Sequence, residues 1–235
     1  MSEFRYHPDI ISNFPNLAGG VILAQDMRNS PTSEALRQAF IEEQRAILTR
    51  IGQMPLSEIA SLAAWRGAFR TFGVDPTKYR SAAEALLRRL TKKGDIPNIS
   101  TIVDICNLVS IRYALPLAAF DAQAVSGAIT VRYADGTESF IPHDQAEREC
   151  PDPGEVIFSD DKDNVVARRW CWKQSLSSAV SIDTTEAIFT IEAQHPNGRA
   201  DIEAALDDLL GMLKTYAGGN FKTGLLPGAQ ASIRS

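Results

Sequence analysis

Most of the features that usually betray a function are missing from this chain. No stretch of its 235 residues approaches the ~18 consecutive apolar residues of a membrane-spanning helix, so no membrane partner is expected. The opening, MSEFRYHPDI, lacks the basic-then-apolar order of a secretory leader. Cysteine is scarce: Cys106, Cys150 and Cys171 are odd in number, widely spaced and without a Cys-x-x-Cys pair. That fits reduced thiols in a cytoplasmic protein better than a disulfide framework. His7, His143 and His195 are the only histidines and have no metal-ligand spacing, so no metal is implied. A Gly-x-Ser-x-Gly elbow, a glycine-rich phosphate loop and a His-Glu-x-x-His pair are all absent, which disfavours a triad hydrolase, a nucleotide-driven enzyme and a metallohydrolase. An excess of positive charge is missing too. The net charge of −5 argues against a broadly basic nucleic-acid binder, DNA included, and leaves room only for a local patch.

What is present is an ordinary globular composition, 44% hydrophobic and 23% charged. Residues 1–32 read as irregular, broken by Pro8, Pro15, Gly19-Gly20 and Pro31, with one apolar run, GGVILAQ. From Ser33 to Gly52 an apolar face on Ala35, Leu36, Ala39, Phe40, Ile47, Leu48 and Ile51 predicts a helix. A second follows Pro55, with Ile59, Leu62, Trp65, Phe69 and Phe72 at spacings of three and four and Gly73 as its stop. Arg66 intrudes on the apolar side there, either as a packed stem with a solvated head or as a guanidinium aimed into a site. VDPTKYRSAAEALLRRLTKKG predicts a third helix in which Arg80, Glu84 and Arg88 line up at i, i+4 and i+8. NISTIVDICNLVSIRYALP is apolar nearly all round, so it predicts a buried fourth helix. Its polar residues Asp104, Asn107 and Ser110 fall on one stripe, which must face either a structural polar network or the wall of a binding site.

After Pro116 the period changes to two. GAITVRYADGTESFIPH predicts a hairpin turning at Asp135-Gly136, GEVIFSDDKDNVVARRWCWKQ a second hairpin with an acidic turn, and TTEAIFTIEAQ a further strand. NGRADIEAALDDLLGMLKTYAGG predicts a C-terminal amphipathic helix, and the residues after it a loosely held tail. His195, before Pro196 and Asn197, is expected in a turn. Helices first and a mainly antiparallel sheet later give an α+β fold, N-terminal helices packed on that sheet with a helix at the end. The expected division is a helical extension over 1–55, the main domain over 56–217 and a tail over 218–235.

The stretch ARRWCWKQ, residues 167–174, reads as strand. Alternation would put Arg168, Trp170 and Trp172 on one face and Arg169, Cys171 and Lys173 on the other. Two tryptophans are a core feature or a base-stacking platform. The flanking cations would favour a Cys171 thiolate.

The order of five blocks is more specific than any one of them: AWRGAFRTFGVDPTKYRSAAEALLRRL, NISTIVDICNLVSIRYALPLAAFD, ITVRYADGTESF, GEVIFSDDKDNVVARRWCWKQ and TTEAIFTIEA. Over about residues 60–195 this order resembles the B3/B4 tRNA-editing domain of the bacterial phenylalanyl-tRNA synthetase beta subunit and, more closely, the free-standing relatives of that domain. The resemblance implies hydrolysis of the ester joining a wrong amino acid to a tRNA, with no cofactor, and the acceptor end of a mischarged tRNA as partner. It implies Asn107 and Glu192 as the residues of the editing pocket, Asn107 orienting substrate or water and Glu192 binding the misattached residue. Asp104, Arg80, Asp121 and Ser110 are further candidates for substrate binding. An activated ester needs only a held water and donors for the developing oxyanion.

Two departures bear on specificity. The synthetase domain has histidine where Ala118 stands here, and free-standing relatives often have asparagine where Cys171 stands. Some of those relatives clear tRNA(Arg) charged with canavanine, whose long cationic side chain suits a carboxylate such as Glu192 or Asp104; tyrosyl-tRNA(Phe) is the second expectation. In an acidic chain the tRNA must meet local patches, Arg88, Arg89, Lys92 and Lys93 or Arg168, Arg169 and Lys173. A non-catalytic module holding tRNA or an amino acid, and a thiol hydrolase using Cys171, are the rival readings. The oligomeric state is left open.

Overall fold

The computed structural model describes residues 2–142, 147–228 and 232–235. Two sheets and a layer of helices build it. The four-stranded sheet consists of β2 (Ala18–Gln25), β3 (Leu117–Asp121), β9 (Ala187–Ala193) and β10 (Asn220–Leu226), in the order β10-β2-β9-β3 and antiparallel throughout. The seven-stranded sheet holds β1 (Glu3–Tyr6), β4 (Ala128–Tyr133), β5 (Ser139–Phe140), β6 (Val156–Ser159), β7 (Asn164–Arg168), β8 (Lys173–Gln174) and β11 (Ser232–Arg234). Among the described residues only β1–β4 and β5–β7 pair in parallel. The described helices are α1 (Pro8–Asn13), α2 (Glu34–Ile51), α3 (Ala60–Thr71), α4 (Ala82–Lys93), α5 (Thr101–Tyr113) and α6 (Gly198–Tyr216). The fold is α+β, as the change of period predicts.

The four-stranded sheet is the middle layer, which explains why β2 and β9 read as unbroken apolar runs. Along β2, Ile22 and Ala24 face a core made with α2, α4, α5 and α6, while Val21 and Leu23 face the other sheet. Strand β9 does the same with Phe189 and Ile191 on the helix side and Ile188 on the other. Helix α5, sealed between helices and sheet, buries nine of its residues. Ser33 caps α2 and Ser81 caps α4 through their side-chain oxygens, and Gly94 in a left-handed conformation ends α4.

Four expectations are corrected. Residues 1–55 are not an extension: β1 lies inside the seven-stranded sheet and β2 inside the four-stranded one. The residues after 217 are not a loose tail, because β10 pairs with β2 over seven residues and β11 pairs with β1. Alternation hid both, since β2 is buried on both faces and β10 is mostly exposed. Asp135-Gly136 does turn the chain, but β5 leaves β4 and pairs with β7. The Glu138 carboxylate, accepting from Asp135 N–H, Gly136 N–H and Arg132, closes that turn on itself instead. Finally, ARRWCWKQ is not one strand. Arg169 and Trp170 sit at φ 47° and 60°, so the alternation stops at Arg168. Such conformations cost about 1–3 kcal/mol each in non-glycine residues. Here they are offset by Arg169 N–H donating to Glu155 at 2.8 Å and Trp170 N–H to the Val156 carbonyl at 2.6 Å.

Deleting residues 2–25 removes a strand from each sheet. It is expected to abolish the cooperative thermal transition followed by far-ultraviolet circular dichroism; a truncated chain that still melts cooperatively would restore a boundary at residue 55.

Candidate functional site

Between the two sheets lies a cavity of about 80 Å³. Leu117, Ala118 and Phe120 of β3, Phe158 of β6 and Ala167 of β7 supply apolar walls. Ala82 at the start of α4 and the turn Trp170–Gln174 complete them. The pleat of β9 turns Ile188, Thr190 and Glu192 to this side, and Thr190 and Glu192 give the cavity polar groups.

Glu192 is 2% exposed. Tyr6 Oη donates to its Oε1 at 2.8 Å, and Trp170 Nε1 donates across both oxygens at 3.1 Å. The indole is fixed by edge contacts with Phe14 and Trp65, with ring centroids 4.7 and 5.2 Å away. Gly19, the register partner of Glu192 on β2, makes room for Tyr6: a Cβ there would lie 2.1 Å from the phenol oxygen. Burial pushes the Glu192 carboxyl up to about 7, against the pull of its two donors. Burial, then the charge of Glu192, raises the Tyr6 phenol well above its ordinary value. The same two causes raise the Cys171 thiol. A neutral thiol is a poor nucleophile, so the cysteine reading loses its support.

Of the six residues expected to act on substrate, only Glu192 lines this cavity. Asn107 is half-buried on α5 and is not on the wall; the structure does not bring it together with Glu192. Asp104 is fully buried and accepts from Thr32 Oγ1 at 2.5 Å, Asn98 Nδ2 at 2.6 Å and Ile99 N–H at 2.9 Å, tying down the entry to α5. Ser110 donates to the Leu115 carbonyl at 2.7 Å and closes the other end of that helix. The polar stripe of α5 is therefore largely backbone closure. Asp121 accepts from Gln123 N–H and Thr184 Oγ1 at 2.9 and 2.6 Å, a turn cap. Arg80 lies outside the cavity, 3.8 Å from Glu84. His195 pairs with Asp201 at 2.8 Å and His7 caps α1, both away from the site; His143 lies outside the described residues. Sequence reasoning missed Tyr6, Gly19 and the donor role of Trp170, because β1 is four residues long and carries no readable period.

The two basic patches part company. Arg168 is buried, donates to both oxygens of Glu155 at 3.0 and 2.9 Å and reaches Glu149 at 2.6 Å. Arg169 is buried against Glu155 and Asp152 and stacks over Tyr79, 3.9 Å from its centroid, and Trp172. Both are structural ties rather than a tRNA surface. Lys173 is half-buried on the cavity rim beside Trp172. Arg88, Arg89, Lys92 and Lys93 are exposed on α4 as expected, and Arg89 pairs with Asp95 at 3.7 Å.

A family model described as the B3/4 domain matches residues 64–218. The chain is similar to phenylalanine–tRNA ligase beta subunits: 38% identical over 104 residues to that of Nocardia farcinica, which is 44% of this chain and 12% of the relative. For Aquifex aeolicus the figures are 34% over 99 residues, 42% and 13%, and for Cutibacterium acnes 38% over 73 residues, 31% and 8%. The chain thus spans about an eighth or less of the length of these relatives. An N-terminal fragment of the phenylalanyl-tRNA synthetase beta subunit from Pyrococcus horikoshii aligns with a TM-score of 0.48 at 12% identity, over 97% of this chain and 55% of that one. Tyr6 and Gly19 precede the matched family segment.

The buried carboxyl makes stability depend on pH. Below about 4.5 Glu192 is protonated in folded and unfolded chain alike. As pH rises from there to about 7 the unfolded chain ionises first, so stability falls, by about 3 kcal/mol in all. Denaturant unfolding should therefore show Glu192→Gln gaining on the wild type between pH 5 and pH 8, by about 2–3 kcal/mol. A constant difference across that range would mean Glu192 ionises normally.

Proposed function

The chain belongs to the B3/4 domain family, and from that premise we propose that it is an aminoacyl-tRNA deacylase acting in trans on mischarged tRNA. The observation that carries the reading is the Glu192 carboxyl, held by two donors at an apolar cavity large enough for a slender side chain. Its Oε1 already accepts from Tyr6 and Trp170, while among the described residues Oε2 accepts only from Trp170. A carboxylate offers about four acceptor sites, so Oε2 keeps capacity for a ligand. In so apolar a setting an incoming cation is the natural partner, and it would return the carboxyl to its charged form. That cation is the substrate's ammonium or its side chain.

The apolar walls and the buried Glu192 carboxyl favour a long, unbranched cationic side chain. Ala118 and Cys171, the two positions that depart from the resembled patterns, are both in the wall. Canavanine, whose guanidinooxy group is cationic, fits such a site better than tyrosine, and canavanyl-tRNA(Arg) is the substrate put forward. With the side chain held at Glu192, the ester would lie towards the mouth formed by Trp172 and Lys173. Water adds to the ester carbonyl, the bond from that carbon to the ribose oxygen breaks, and the water's proton passes to the ribose. No covalent enzyme intermediate is needed, because placement and exclusion of bulk water supply the rate. Trp172, in the wall of the cavity, offers an aromatic face on which the terminal adenine can stack.

Incubation with tRNAs charged with canavanine, arginine, tyrosine or phenylalanine tests this. Canavanine should be released fastest, by about tenfold or more over arginine, and Glu192→Gln should lower kcat/KM for it by at least about tenfold. Binding of mischarged tRNA without release of any amino acid would favour the non-catalytic module instead.

A further inference from the structure

A second, larger depression opens on the far side of α4. It has a volume of about 640 Å³ and lies between the α2–α3 connection and the α4 face that carries Glu84, Arg88 and Lys92, with Arg80 just ahead of the helix. Arg66 of α3 reaches into it as well. Four cations there meet one carboxylate, Glu84, an excess of three positive charges in a chain whose total is −5. Glu84 is buried, takes a hydrogen bond from Arg66 at 2.7 Å and lies 3.8 Å from Arg80. It fixes two guanidinium groups at the bottom of the groove without cancelling the field. Arg88 and Lys92 stand exposed on the rim, and the Ser57 and Thr77 side chains are further polar groups in the wall.

The groove is continuous with the site described above. A shallower depression of about 430 Å³ shares Arg80, Arg88 and Lys92 with it and has Trp172, a wall of the apolar cavity, at its other end. Lys78, Arg89 and Lys93 join there, and among the described residues no acidic one lines it. The cationic track therefore begins at the cavity mouth and follows α4. Ala82 marks the cavity end and Lys92 the groove end, a rise of about 15 Å at 1.5 Å per residue. At roughly 3.4 Å per nucleotide of a stacked strand, that is about four phosphates.

We propose that the Arg66–Arg80–Arg88–Lys92 groove binds backbone phosphates within the last four nucleotides of the single-stranded 3′ end of an RNA, the terminal one lying at the cavity mouth. This rests on the reading of the chain as a tRNA-binding protein and adds a site and a register to it. Glu84 acts as a positioning residue, aiming Arg66 and Arg80.

Uncharged tRNA suffices for the test, so the outcome is independent of ester hydrolysis. Binding of intact tRNA, and of the same tRNA shortened by its four 3′-terminal nucleotides, is measured against salt for wild type and for Arg88→Ala with Lys92→Ala. Both side chains are exposed, and matching thermal midpoints establish that the variant folds. For intact tRNA the variant should bind about tenfold more weakly, and its log–log salt slope should be shallower by about 1.4, or 0.7 for each lost phosphate contact. For the shortened tRNA the two proteins should bind alike. Equal affinities and slopes on intact tRNA would overturn the site, and a difference that survives the shortening would overturn the register. Failure of the deacylation panel with these binding results intact would count against the hydrolytic reading alone.

Discussion

One carboxyl group organises the molecule's functional half. Glu192 sits in the middle layer of a three-layer fold, facing another sheet, where an ionised side chain is costly unless donors surround it. Tyr6 and Trp170 are those donors, and each has drawn further structure around itself. Tyr6 requires a glycine at position 19. Trp170 requires the left-handed turn at Arg169 and Trp170, which in turn requires Glu155 to hold the turn's backbone and both neighbouring arginines. Arg168, Arg169 and Trp170, which catch the eye in the sequence, are thus a scaffold for a hydrogen bond to Glu192 rather than a surface, while Trp172 and Lys173 stand at the cavity rim.

The same arrangement accounts for the part played by the chain's ends. The matched family segment begins at residue 64, yet a donor to the pocket carboxyl comes from residue 6. Strands β1 and β2 are needed because the two sheets must be closed against each other before a cavity exists between them. The basic face of α4 lies on the outside of that cavity, so a dry, largely apolar interior adjoins a wet, cationic track. The division of labour matches the physics of each: burial sharpens a single charge–charge contact, while exposed cations bind phosphates through a summed and salt-sensitive field.

Much of this was legible in the residues. The shift from helical to alternating period gave the fold class, and the resemblance carried by five ordered blocks led to Glu192. The basic end of α4 was visible as a cluster of charge. Other features were not legible for identifiable reasons. Asp104, Ser110 and Asp121 have the polar character of site residues, but their hydrogen bonds go to nearby backbone and hydroxyl groups that only the fold reveals. Arg168 and Arg169 read as surface charge because their acidic partners lie 13–19 residues away across a turn. Tyr6 lies 186 residues from Glu192, and no local pattern encodes that pairing.

The central claim is that Glu192 is a buried, poised carboxyl that a cationic aminoacyl group converts to its charged form. Its titration can be followed directly through the side-chain carboxyl carbon by NMR, in the free protein and with a non-hydrolysable canavanyl-adenosine analogue. A midpoint near 7 in the free protein that falls when the analogue binds is the predicted result. An ordinary carboxylate midpoint in the free protein, or one that stays put when the analogue is bound, would contradict it.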